Sequence, residues 1–189
     1  MKRILFLILI SLTVHALPAF SQSKKDVKKN KIKSVKVTNV VTKDGKEQSM
    51  NESFQRFDAS GEVTEEINYE DDGSFKSHFV YVFNKNGDKT EEVSYLADGK
   101  VKKKKTIKYN ANGDKIEESH SDGSGNFVDK DVYTYNANGD RTTEITLDNK
   151  NNVIHKVILL YDNKGMKVSR KSYDAKGNLE SEKKYVYEY

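Results

Sequence analysis

The side chains with the widest chemical repertoire are few. Beyond the N-terminal segment the histidines are His78, His120 and His155, and there is no cysteine. Thiolate metal sites, disulfides and a lipid-modified N-terminal Cys are thereby excluded. No histidine lies within three or four residues of another, so the spacing of a metal-binding His pair is missing. On unbroken strand alternation His155 faces away from His78 and His120, and all three read as surface strand residues. Asp122-Gly123-Ser124-Gly125-Asn126 begins like a calcium loop, with oxygens at alternate positions. Phe127 stands where that loop needs glycine, and the closing Glu is missing. It reads as a hairpin turn. Lys102 to Lys105 sends alternate ammonium groups to opposite faces of a strand, which disperses the charge. No Ser-His-Asp, paired-carboxylate or phosphate-loop constellation stands out. The expectation is a protein that is not an enzyme, with no catalytic residue, cofactor or metal assigned.

The tyrosines are the one site-like feature. Tyr81, Tyr109, Tyr135 and Tyr161 are the candidate ligand-binding residues. Partly exposed rings stack on sugars or peptide side chains, and turn Asn and Asp groups hydrogen-bond hydroxyls. The competing reading is a cross-strand aromatic ladder that stabilises a thin sheet by about 0.2–1 kcal/mol per pair. The absence of tryptophan weakens the sugar reading.

The tyrosines are positioned by a repeat. Tyr109-Asn110-Ala111-Asn112-Gly113-Asp114 returns 26 residues later as Tyr135-Asn136-Ala137-Asn138-Gly139-Asp140. Stepping by the same period finds Phe57-Asp58-Ala59-Ser60-Gly61, Phe83-Asn84-Lys85-Asn86-Gly87 and Tyr161-Asp162-Asn163-Lys164-Gly165. Turn signals fall into two interleaved series, at 61, 87, 113, 139, 165 and at 73, 99, 125, 151, 177. Such regular punctuation predicts many short antiparallel strands. In each turn two residues suit a type I turn, and glycine supplies the positive φ of a G1 bulge. Because 12, 14 and 26 are even, odd residues are expected on one face from end to end. That face would hold Ile67, Tyr69, Tyr81, Tyr95, Tyr109, Tyr133, Tyr135, Leu159 and Tyr161, with Glu91 opposite Lys105. It also carries too many charges for the inside of a sandwich or barrel. The expected fold is all-β: a long antiparallel β-meander of about 12 strands built from 26-residue double-hairpin repeats. It is mostly single-layer, twisted or curled, and extends roughly 50 Å across the strands.

Tyr133-Thr134-Tyr135-Asn136-Ala137-Asn138-Gly139-Asp140-Arg141 resembles the YD repeat of RHS-type proteins, Tyr-x-Tyr-Asp-x-x-Gly followed by a polar or basic residue. Tyr81-Val82-Phe83-Asn84-Lys85-Asn86-Gly87 and Tyr173-Asp174-Ala175-Lys176-Gly177 are similar to it. The likeness covers about Phe57 to Tyr189, and MORN-like repeats are the runner-up family. Several copies have Asn where the YD pattern favours Asp. The resemblance implies extracellular binding or encapsulation without catalysis in the repeats. Tyr185-Val186-Tyr187-Glu188-Tyr189 reads as a last strand, and the expectation is a repeat protein without a toxin domain.

The N-terminus reads as a secretory signal over residues 1–21. Lys2 and Arg3 precede an apolar run, Ile4 to Val14, and Ala19-Phe20-Ser21 is a small-x-small cleavage site, with cleavage after Ser21. Residues 22–33 hold six Lys and one Asp and read as a flexible leader. Residues 34–189 form the β-repeat domain, with 25 basic and 28 acidic residues. A mildly acidic body is not the footprint of a nucleic-acid binder. No stretch is long and apolar enough for a transmembrane helix. The expected function is an exported binding or scaffolding module at the cell envelope or outside the cell, secreted or periplasmic, with a protein or glycan partner. The alternatives are a glycan-binding protein using the tyrosine rows, and a structural protein that self-associates through its edge strand.

Overall fold

The computed structural model describes residues 23–43 and 45–188; the expected signal segment and cleavage site lie outside them. One short helix precedes twelve strands. These are α1 (Lys24–Asn30), β1 (Ser34–Lys43), β2 (Lys46–Phe57), β3 (Val63–Tyr69), β4 (Phe75–Phe83), β5 (Lys89–Tyr95) and β6 (Val101–Tyr109). Then follow β7 (Lys115–Asp122), β8 (Phe127–Tyr135), β9 (Arg141–Asp148), β10 (Val153–Tyr161), β11 (Lys167–Asp174) and β12 (Leu179–Lys184). The strands pair in chain order in one antiparallel sheet that does not close. The single-layer meander expected from the repeat is therefore the fold. Substantial contacts between elements run only from each strand to the next, as in a repeat protein stabilised by nearest neighbours.

The turns form for the reason the sequence gives. Asn110 donates its N–H to Asp114 O at 2.9 Å, and Gly113 N–H donates to Asn110 O at 3.1 Å, with Gly113 at φ +86°. A side chain there would be strained. The Asn110 Oδ1 also accepts the N–H groups of Asn112 and Asp114, both at 2.9 Å. Asp122 Oδ1 does the same for Ser124 and Asn126. Asn and Asp both supply this oxygen, which explains why the repeat exchanges them. The partners differ. In one series Asn110 Nδ2 donates to Asp114 Oδ2; in the other Asn126 Nδ2 donates to Asp122 Oδ2. Asp122, with the oxygens of the calcium-like loop, is thus committed to its own turn. Gly123 is required there for another reason: a Cβ would sit 2.1 Å from the Val101 carbonyl oxygen.

The register corrects the expectation of one constant odd face. Lys108 pairs with Glu117, but Tyr109 pairs with Lys115, so Ile116 is extra. Every hairpin from β2–β3 to β11–β12 has such a bulge at the second residue of its incoming strand. One extra residue swaps the parity of the strand that follows. The even repeat is thus combined with one slip per hairpin, and faces alternate in parity from strand to strand. The first face carries Tyr81, Glu92, Lys105, Ile107, Glu118, His120, Asp131, Tyr133, Glu144, Val157 and Leu159. The second carries His78, Tyr95, Lys104, Thr106, Glu117, Ile145, Ile158 and Tyr173. Glu92, not Glu91, stands opposite Lys105, while Glu91 pairs its carboxylate with Lys104 at 2.8 Å. His155 shares a face with His120 rather than opposing it.

Three ion pairs report the bulge directly. Residues three apart on a regular strand point to opposite faces. Yet Lys89–Glu92, Lys115–Glu118 and Arg141–Glu144 lie at 3.0, 2.7 and 3.0 Å. The bulge brings both members to the first face.

Burial is sparse, as a single layer requires. The buried apolar side chains among the described residues are Val27, Tyr133, Val157 and Leu159. The last three share the first face with buried Glu118 and Ser172. The Lys-rich leader, expected to be disordered, contains α1. Ser23 caps it by accepting the Asp26 N–H at 3.1 Å, and Val27 is buried. A cap and one anchored side chain oppose the charge repulsion that composition alone records. The last strand ends at Lys184, before the expected Tyr185–Tyr189 strand, although Tyr185 N–H still donates to Val168 O at 3.1 Å.

Candidate functional site

Three of the four candidate tyrosines, Tyr109, Tyr135 and Tyr161, stand in one row on the first face. Each is the last residue of its strand, one repeat apart. Their hydroxyls donate to Lys89 O, Lys115 O and Arg141 O at 2.8, 2.7 and 2.8 Å. Tyr187 continues the row by donating to Lys167 O at 2.8 Å. Each bond ties the end of a strand, or for Tyr187 the segment after β12, to the start of the strand immediately before it. Lys89, Lys115 and Arg141 lie beyond the last residue paired with the following strand, and the hydroxyl supplies the partner the ladder no longer gives. Tyr81 belongs to a different phase of the repeat, that of Ile107, Tyr133 and Leu159. It lies under Lys89 Nζ at 4.1 Å and stacks on Phe79 with centroids 6.1 Å apart. Burial, with the charges of Glu66 and Glu92, pushes its hydroxyl up to about 12.

Beside these rings the first face carries a chain of charges. Glu118 is 8% exposed. Its Oε2 accepts from Lys115 at 2.7 Å, and its Oε1 lies 3.0 Å from Lys105 Nζ and 3.1 Å from His120 Nε2. Burial alone would raise the Glu118 carboxyl. The hydrogen bonds from Lys115, Lys105 and His120 outweigh it and hold the group down at about 2. His120 Nδ1 meets Asp129 at 2.5 Å. Tyr133 is sandwiched, with Lys115 Nζ 4.8 Å and Arg141 Cζ 4.5 Å from its ring centre. Its hydroxyl is pushed far above the ordinary value by burial, then by Asp131 and Glu118. The buried Arg141 Nε has no hydrogen-bond acceptor among the described residues, and the ring face beneath the guanidinium is its compensation. Chemically, this face offers a carboxylate held ionised and phenols held neutral near pH 7.

Ligand atoms of Glu118, His120 and Asp131 lie within 4.8 Å of one another, a spacing that could hold a metal ion. Both Glu118 oxygens already face ammonium groups, which a divalent cation would have to displace. The arrangement fits a salt-bridge network better than a metal centre.

The residues that sequence reasoning missed lie on the second face, at the opposite rim. The first residue after each turn of the second series is apolar: Phe75, Val101, Phe127, Val153 and Leu179. Opposite them stand Tyr69, Tyr95, Ser121, Leu147 and Tyr173. The bulge residues that follow are Val128, Ile154 and Glu180; Glu180 reaches Ser172 at 3.3 Å and His155 at 3.6 Å, so this series sides with the first face and is not part of the row. Within the row, Phe127, Val153 and Leu179 are 38%, 43% and 53% exposed. Corresponding positions in the other series are Val63, Lys89, Lys115, Arg141 and Lys167. The signal was present at period 26, but constant parity scattered these residues among the charges of one odd face.

No family model matches this chain, and no curated protein matches it. Among solved structures, a porin-like protein from Bacteroides uniformis is similar at TM-score 0.33 and 9% identity, over 75% of this chain and 78% of that one. A protein with unknown function from Bacteroides fragilis is similar at TM-score 0.27 and 15% identity, over 83% and 96%. Likenesses this weak carry no inference for this chain.

Proposed function

We propose that the protein is an exported, non-catalytic binding or scaffolding module of the cell envelope or exterior, and that it engages a protein partner through the apolar row on its second face. The exposed row from Phe127 to Leu179 is the observation that carries this reading. It repeats from β8 to β12, roughly 19 Å at about 4.8 Å per strand, and contiguous exposed apolar surface marks interaction sites. The charged first face is satisfied internally, and the row of Tyr109, Tyr135 and Tyr161 is assigned to packing before sugar binding. The signal segment and the resemblance to YD repeats support an extracytoplasmic role.

Photoreactive side chains placed at Phe127 and Val153, both in the second-face row, test the reading in the native envelope. Both positions are exposed, so folding is little affected. Discrete protein adducts from these two positions, and none from Lys103 on the first face, are expected. Adducts at all three positions alike, or at none, would refute the assignment.

A second reading follows from the edges. β1 and β12 are unpaired on their outer sides, and an even number of strands makes them antiparallel. A second copy adding β1 to β12 would therefore continue the meander head to tail. The short, charged β12 (Leu-Glu-Ser-Glu-Lys-Lys) opposes this. Sedimentation velocity that shows only monomer at high concentration eliminates it.

A further inference from the structure

A separate feature lies at the N-terminal pole, away from the apolar row. Between α1, the start of β1 and the end of β2 is a cavity of about 810 Å³. Val27, Phe57 and Ala59 give it an apolar lining, while Lys28, Lys31, Lys33 and Arg56 bring four cationic side chains to it. The one carboxylate in the lining, Asp58, is engaged in its own turn, with Oδ1 accepting the N–H groups of Ser60 and Glu62 at 2.8 and 2.9 Å. Arg56 has a partner, Glu65 at 3.0 Å. The three lysines form no ion pair with an acidic side chain among the described residues.

The volume lies in the range of small-molecule sites, which combine apolar lining with a few convergent polar groups. Positive charge around an apolar floor selects one ligand chemistry. We infer that this cavity binds an anionic amphiphile, a phosphate or carboxylate head with an apolar tail: the head meets Lys28, Lys31, Lys33 and Arg56, and the tail meets Val27 and Phe57. The basic leader then has a specific use. α1 folds against the sheet, and its lysines complete a site that the acidic β-repeat body lacks.

Isothermal titration of the mature protein with octyl phosphate, octanol and inorganic phosphate tests the two halves of the site. Octyl phosphate is expected to bind at least tenfold more tightly than either of the others. Equal affinity for octyl phosphate and inorganic phosphate would show charge attraction alone and overturn the proposal, as would no binding of octyl phosphate. The double change Lys28→Glu/Lys33→Glu is expected to weaken octyl phosphate at least tenfold. Lys150→Glu/Lys176→Glu, an equal charge change at distant turns, should leave it within twofold. Equal loss in both variants contradicts the site. Flotation with phosphatidylcholine vesicles, with and without phosphatidylglycerol, identifies the source. Binding only to the anionic vesicles assigns the head to a lipid leaflet; no binding to either, with octyl phosphate still bound, assigns it to a free amphiphile. The adducts at Phe127 and Val153 are independent of all these results.

Discussion

Replacing Glu118 by Gln probes the bulged register and the charge network together. The change preserves shape and removes one buried charge. Glu118 stands between Lys115 at 2.7 Å and Lys105 at 3.0 Å, so its loss leaves two ammonium groups without their common partner. The shift from the ordinary 4.5 to about 2 sets a ceiling of roughly 3 kcal/mol on its contribution at neutral pH. The sign follows from the folded value lying below the unfolded one. The contribution is complete above about pH 4.5 and is lost as pH falls through about 2. Urea unfolding at fixed ionic strength, followed by far-UV circular dichroism, measures it. Glu118→Gln should cost about 1.5–3 kcal/mol at pH 7, the range for hydrogen bonds to charged groups, and the deficit should shrink steadily below pH 4.5. A double-mutant cycle with Lys115→Met isolates the pair three residues apart. It should show coupling of about 1 kcal/mol, because partners in one network are non-additive. A deficit below about 0.5 kcal/mol, the size of an ordinary surface change, or one independent of pH, would refute the network. Zero coupling would refute the bulge that places both residues on one face.

Two further outcomes follow from the repeat. Tyr135→Phe removes only the hydroxyl that donates to Lys115 O; it should cost about 0.5–1.5 kcal/mol in urea unfolding, whereas no change would detach the tyrosine row from the fold. Asn110→Asp sets two carboxylates face to face with Asp114 and should cost about 1 kcal/mol. The double change Asn110→Asp/Asp114→Asn recreates the polarity of the Asp122–Asn126 turn and should recover most of that loss; failure to recover would show the pairing to be incidental.

The strands, turns and single layer were legible in the sequence because local chemistry sets them. Gly113 and its equivalents need positive φ, and Asn or Asp before them accepts turn N–H groups. The bulge was not legible. Ile116, Thr142 and Val168 have no special backbone requirement, and nothing in their identity separates an extra residue from a paired one. That one omission misassigned the faces: it joined Tyr95 to Tyr109, opposed His155 to His120, and hid the row of Phe127, Val153 and Leu179. The candidate tyrosines were found because they are periodic, but their hydroxyl partners, 20 residues away in sequence, follow from the register alone. Helix α1 escaped for a different reason. Its stability rests on a cap and the burial of Val27, which a charge count cannot register.

All of these assignments depend on the pairing of β6 with β7. Cross-strand NOEs in the isotopically labelled mature protein read that pairing directly. The structure predicts contacts of Lys105 with His120 and of Thr106 with Ser119. Contacts of Lys105 with Ser119 and of Thr106 with Glu118 instead would restore a constant odd face and contradict the account.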